Sequence, residues 1–263
     1  MKCKTHKETK KSSDTLNARI TLCASLGGFF SKIQESSIYL LLNNFLRWYK
    51  MTKKRILCFG DSNTWGYVPC TDHERFSEDV RFPKVLQKLL GDKFEIIEEG
   101  LNSRTLVNED KRLEKEGRNG SQYLIPSLDS HDPLDLVILM LGTNELKHKF
   151  QNSPEEIGNL LNKYFVKVIL NRKSQFRRTF PQLLIISLPI LNEQTDYASQ
   201  RYVGGNKKSK KLGEIYSGIA KKNKCNFVSA SELTVGGDGV HLTKESHIKL
   251  AKKLSEKIKS IKL

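Results

Sequence analysis

A chain of 263 residues with 38% hydrophobic content can bury a sizeable core in one enzyme-sized domain. It contains no run of about eighteen apolar residues of the kind that crosses a membrane; the nearest approach, Ile38 to Leu46, is broken by two asparagines. The formal net charge of +16 is spread along the chain without an aromatic-interleaved basic motif, which argues against a nucleic-acid partner.

Residues 1–50 form a basic extension with nine Lys or Arg against three acids, and their apolar patches show no clear helical or strand period. The charged stretch is too long for a signal peptide. Met51 begins "MTKKRILCFG", which reads as a start immediately before a first strand. The expected organisation is therefore an extension outside the fold, 1–50, followed by one domain, 51–263. A targeting or membrane-surface role for the extension is the alternative. The five cysteines Cys3, Cys23, Cys58, Cys70 and Cys225 are odd in number and contain no C-x-x-C pair. They suggest neither a disulfide framework nor a zinc site, and fit a reducing cytoplasm.

From Met51 onward strand and helix signals alternate. Apolar runs at 55–60, 94–100, 134–142, 183–189 and 226–230 predict five strands. Helices are predicted over "FPKVLQKLLG", with Pro83 in the first turn and Gly91 at the stop, and over "SPEEIGNLLNKYFVKVIL", with a Ser153 cap. Two more follow, "KKSKKLGEIYSGIAKKN" and "LTKESHIKLAKKLSEKIKSI", the last opening on a Thr243 cap. Nearly continuous aliphatic runs imply strands covered on both faces, hence an α/β fold with a parallel sheet between helical layers. In such sheets ligands bind beyond the carboxyl ends of the strands.

Four strand ends carry chemistry. The first is followed by "GDSN" with Asp61, Ser62 and Asn63, the second by "EGLNSRT", the third by "LGTNE" with Asn144, and the fifth by "GGDGVHLT" with Asp238 and His241. A serine nucleophile needs a base, the base needs an acid to fix its tautomer, and the oxyanion needs donors. Each residue also has a plainer reading: Ser62 as a helix cap, Asn144 and Asp238 as turn residues, His241 as a cap or packing group of the last helix. Their joint arrival at one sheet edge favours the chemical reading. No G-x-S-x-G elbow occurs, so the serine is not presented as in α/β-hydrolases.

The blocks "GDSN", "EGLNSRT", "GTNE" and "DGVH", in this order and spacing, resemble the SGNH (GDSL-type) hydrolases. The longer strings "KRILCFGDSNTWGYVP", "FEIIEEGLNSRT", "PLDLVILMLGTNE" and "DGVHLT" are similar to the bacterial arylesterase and acyltransferase branch. The resemblance covers Lys53 to nearly the C-terminus. It implies a flavodoxin-like three-layer α/β/α sandwich that cleaves small esters through an acyl-serine, with water or an alcohol as acceptor and without metal or other cofactor. Thioesterases, lysophospholipases and carbohydrate acetylesterases share the same triad and stand as alternatives; a homo-oligomer is left open. The resemblance makes Ser62 the nucleophile, His241 the base and Asp238 the orienting acid. The oxyanion hole is then the N–H groups of Ser62 and Ser103 and the side-chain amide of Asn144. A tight turn at a helix entrance brings residues three apart together, which suits Asp238 and His241. The Ser103 position is usually glycine or another small residue in relatives. Asn63 stands where leucine is common, which predicts a more polar pocket wall that lets water compete with an alcohol, and Trp65 is a candidate aromatic wall.

Overall fold

The computed structural model describes Asn43, residues 53–109 and residues 112–263; apart from that one asparagine, the expectations made for residues 1–50 lie outside the described residues. Lys53–Leu263 is a compact unit in itself. Its strands are β1 (Lys54–Gly60), β2 (Phe94–Gly100), β3 (Leu136–Met140), β4 (Gln182–Ile186) and β5 (Asn226–Val228). All neighbours run parallel in the order β2-β1-β3-β4-β5, the flavodoxin-like order.

The aliphatic runs behave as expected for β1, β3 and β4. Leu57, Phe59, Val137 and Leu139 face one apolar layer, while Ile56, Cys58, Ile138 and Met140 face the other. The first layer is completed by Leu124 of α3 (Gly120–Ser130), Leu161 of α4 (Pro154–Leu161), Ile169 of α5 (Lys167–Asn171) and Leu212 and Tyr216 of α7 (Gly205–Lys222). The second is completed by Phe82 and Leu86 of α2 (Phe82–Leu90) and by Leu250 and Leu254 of α8 (Lys244–Ser260). β2 differs: every residue is only half-buried, because it is an edge strand, and its Glu98 pairs with Arg81 at 2.8 Å.

Helix starts follow the local chemistry. Ser153 and Glu156 form a complete capping box before α4, and Thr243 accepts from Ser246 N ahead of α8. One expected helix is interrupted. Between α4 and α5 the chain makes a π turn, Asn162–Val166, in which Phe165 and Val166 are both buried in the core; the extra residue per turn brings two neighbouring apolar side chains to the same side.

Register sets the position of the site. Gly60 pairs with both Gly100 and Met140, so three strands stop level with one another. A Cβ on Gly60 would stand 2.0 Å from Thr64 Oγ1 and 2.5 Å from Met140 O. On Gly100 it would stand 2.2 Å from Trp65 N. Both glycines permit the turn after β1 to fold back against the sheet end.

Candidate active site

Directly after β1, Asp61 Oδ1 accepts from Asn63 N at 3.0 Å and caps the four-residue helix α1 (Ser62–Trp65), which Gly66 closes at φ +91°. Ser62 is the first residue of that helix, so its N–H has no acceptor within it. Burial raises the Asp61 pKa, and the Asn63 amide and Thr143 hydroxyl lower it by less.

Ser62 Oγ lies 2.9 Å from His241 Nε2, and His241 Nδ1 lies 2.6 Å from Asp238 Oδ2. The other carboxylate oxygen of Asp238 accepts from the backbone N–H groups of Val240 and His241, each at 2.9 Å. Burial alone would raise the Asp238 pKa; the hydrogen bond and charge of His241, with these two amides, outweigh it and hold the group below its ordinary value. An ionised Asp238 places the imidazole proton on Nδ1, so Nε2 accepts from the Ser62 hydroxyl. An imidazole held this way can take the serine proton as Oγ attacks a carbonyl carbon.

The donors come from the next two strand ends. After β2, Arg104 N donates to Leu101 O, closing a turn that leaves the N–H of Ser103 outside it. Ser103 adopts φ +66°, the left-handed region that glycine enters most readily; the small residue usual at this position in relatives fits that conformation. After β3, Asn144 Nδ2 donates to Arg104 O at 2.9 Å, which fixes one amide hydrogen and leaves the second for a ligand. Its neighbour Glu145 is wholly buried, accepts from Leu106 N and has its pKa pushed up by burial to about 8. Arg104, also buried, donates to Gly60 O at 3.0 Å and to Glu99 O. One guanidinium thus ties the ends of β1 and β2 to the Ser103 turn.

A cavity of about 210 Å³ opens over Ser62, with Ser103, Asn144 and His241 in its wall. Tyr67, which stacks on His241 with ring centroids 4.4 Å apart, adds an aromatic side together with Tyr197 and Tyr202. Four cationic side chains, Arg112, Lys115, Lys147 and Arg201, complete it. A second cavity of about 470 Å³ meets the first at Tyr67, Tyr197 and His241; its remaining wall includes Thr71, Gln194, Thr195 and Asp196. Among the described residues no group of three or more His, Cys, Asp or Glu is placed to hold a metal ion.

The structure therefore brings Ser62, Ser103, Asn144, Asp238 and His241 together. It does not bring Asn63 or Trp65 to either cavity wall. Asn63, expected as a polar pocket wall, is instead buried with its Oδ1 accepting from Leu242 N at 2.9 Å and its Nδ2 facing Val240 O at 3.5 Å. It grips the two neighbours of His241 because the residue after Ser62 points down into the histidine loop. Trp65 lies under the Arg75 guanidinium, 5.1 Å from its ring centroid; the aromatic wall is made of tyrosines. Tyr67 stood within the first strand-end string, but its neighbours Gly66 and Val68 gave no sign of a stacking role. Tyr197, Arg201 and Tyr202 come from α6 (Asp196–Arg201) and the residue after it, a segment without a strand-end motif.

This sheet order and this manner of presenting a serine meet in serine hydrolases of the SGNH type. Residues 58–247 match the GDSL-like lipase/acylhydrolase family, and the chain belongs to it; it is a carboxylic ester hydrolase of that family. Among solved structures, the inhibitor-bound aryl esterase of M. smegmatis is 37% identical, with a TM-score of 0.74 over 80% of this chain and 100% of that one. A carbohydrate acetylesterase from Sinorhizobium meliloti is 35% identical, with a TM-score of 0.73 over 79% of this chain and 99% of that one. The lipase/acylhydrolase from Enterococcus faecalis is 14% identical with a TM-score of 0.57, covering 79% and 96%, and shares the fold. No curated protein matches the sequence.

Proposed function

We propose that the protein hydrolyses small aryl or alkyl esters of short acids through an acyl-Ser62 intermediate. The observation that carries this reading is the unbroken Asp238–His241–Ser62 chain at 2.6 and 2.9 Å, opening on a cavity that Asn144 and Ser103 also wall. His241 takes the Ser62 proton as Oγ adds to the ester carbonyl. The oxyanion is held by the N–H groups of Ser62 and Ser103 and the second Asn144 amide hydrogen. His241 then gives the proton to the departing alkoxide, leaving the acyl-serine. Water, or an alcohol in acyl transfer, adds to that ester while His241 takes its proton, and the collapse returns the proton to Ser62. A cavity of about 210 Å³ favours short acyl groups, being smaller than the roughly 300 Å³ at which drug-sized sites begin.

We assign this chemistry to residues 51–263, with 1–50 outside the catalytic domain, and place it in the cytoplasm on the cysteine pattern, without a nucleic-acid partner. Assembly into a homo-oligomer is compatible with this reading. A second reading, deacetylation of a sugar, is favoured by the hydroxyl and amide wall of the second cavity at Thr71, Gln194 and Thr195. The deciding experiment is Ser62→Ala assayed on p-nitrophenyl acetate, phenyl acetate and an acetylated sugar. Turnover is expected to fall by roughly 10⁴ or more with the fold retained; unchanged turnover in the pure variant would refute the serine assignment.

A further inference from the structure

We propose that the preferred ester carries a negative charge on its acyl half, as in a monoester of a short dicarboxylic acid, with the distal carboxylate held by the cations that rim the Ser62 cavity. This rests on the esterase reading above and specifies its substrate.

Arg112, Lys115, Lys147 and Arg201 all line that cavity, and no Asp or Glu among the described residues does. They arrive from three separate places: the segment before α3, the link after β3, and the end of α6. A basic run of sequence would put like charges on one stretch of surface; here separate segments converge on one opening. Two of the four have no ion-pair partner among the described residues. Lys115 Nζ lies 3.4 Å from His73 Nε2, and the Arg201 guanidinium sits over the Tyr197 ring at 4.4 Å from its centroid; neither meets a carboxylate there. Arg112 Nη2 reaches the oxyanion turn itself, donating to Ser103 Oγ at 3.3 Å. A cleft lined by one sign of charge raises the local concentration of an oppositely charged substrate, and guanidinium groups suit a carboxylate in particular.

The two cavities assign the charge to the acyl half. His241 walls both, as expected of the group that protonates the leaving alcohol, while Ser62, Ser103 and Asn144 wall only the cationic one. The carbonyl therefore sits in the cationic cavity; with the acyl chain beside it there, the alcohol leaves towards the second cavity, whose wall includes Asp196, Asp238 and neutral side chains.

The test compares kcat/KM for phenyl hydrogen glutarate and phenyl pentanoate, which have equal acyl length and differ in terminal charge, after subtraction of the spontaneous rate. A second pair, 4-acetoxybenzoate and its methyl ester, places the charge on the leaving group. The full chain is expected to prefer the glutarate about tenfold at low ionic strength, with the preference shrinking in 0.5 M NaCl as the charges are screened. Lys115→Ala and Arg201→Ala should each lower the glutarate-to-pentanoate ratio severalfold, and Arg201→Glu should lower it further. A ratio at or below one in the native protein, or a ratio that none of these variants moves, would overturn the proposal. A preference confined to the benzoate pair would overturn the acyl assignment. No turnover of any ester, or turnover that survives Ser62→Ala, would instead fault the esterase reading on which the proposal stands.

Discussion

Asn63 adjoins the nucleophile, yet its amide spends itself on the far end of the chain, bonded to Leu242 N and facing Val240 O. Asn63→Leu removes both partners and leaves a buried N–H and a buried carbonyl unsatisfied, at a cost of about 1 to 3 kcal/mol for such a group. We expect the variant to lose thermal stability and to turn over phenyl acetate at least about tenfold more slowly through kcat, because the His241 loop loses its tether. Unchanged kcat with a raised ratio of transesterification to hydrolysis would restore the pocket-wall role. Glu145 supplies a second expectation. Burial raises its pKa from 4.5 to about 8, so between these values the folded protein holds a proton that the unfolded chain releases. Folding stability attributable to this group therefore falls as pH rises from about 4.5 to 8 and levels off above, by on the order of a few kcal/mol. Glu145→Gln cannot titrate, and its denaturant midpoint should fall less than that of the native protein between pH 5 and pH 8. Equal slopes in the two proteins would show that Glu145 is already ionised in the fold.

At the scale of elements, the level stop of β1, β2 and β3 depends on two glycines. A methyl group at Gly100 would meet the backbone of Trp65 and Thr64 at 2.2 to 2.7 Å, and backbone cannot rotate aside as a side chain can. Gly100→Ala is expected to cost roughly 3 kcal/mol, the upper end for overpacking, and to displace Ser62; melting temperature and esterase rate should drop together. A variant that melts normally would mean that α1 shifts without penalty. The strand ends were legible in the sequence because each couples an apolar run of strand length to a polar block that no strand would continue. Caps at Ser153 and Thr243 were legible for a similar local reason. α3 was not, since its "GSQYLIPSLDS" carries Pro126 inside the helix and few apolar residues at helical spacing. The π turn was not, because its cause is the placement of Phe165 and Val166 against a core that only the folded molecule defines. The downward course of Asn63 and the tyrosine wall were hidden for the same reason: their partners lie far away in the chain, where spacing carries no information.

For the whole molecule, residues 1–50 contribute +6 of the formal charge and residues 51–263 contribute +10. A protein beginning at Met51 is expected to fold, stay monodisperse to the same degree and keep its kcat/KM, since Lys53–Leu263 is a compact unit. Lost solubility or turnover in that truncation would assign residues 1–50 to the domain. Ser62 and His241 are 179 positions apart, with the serine at the first strand and its base beyond the last. Chains emerge from synthesis N-terminus first, so a nascent polypeptide can hold β1 to β4, the Ser103 turn and Asn144 while its nucleophile has nothing to surrender a proton to. Reactivity switches on only when the final stretch docks. Recovery of turnover during refolding therefore reports the docking of the C-terminal segment that carries His241, and a chain arrested or clipped before that segment stays chemically silent.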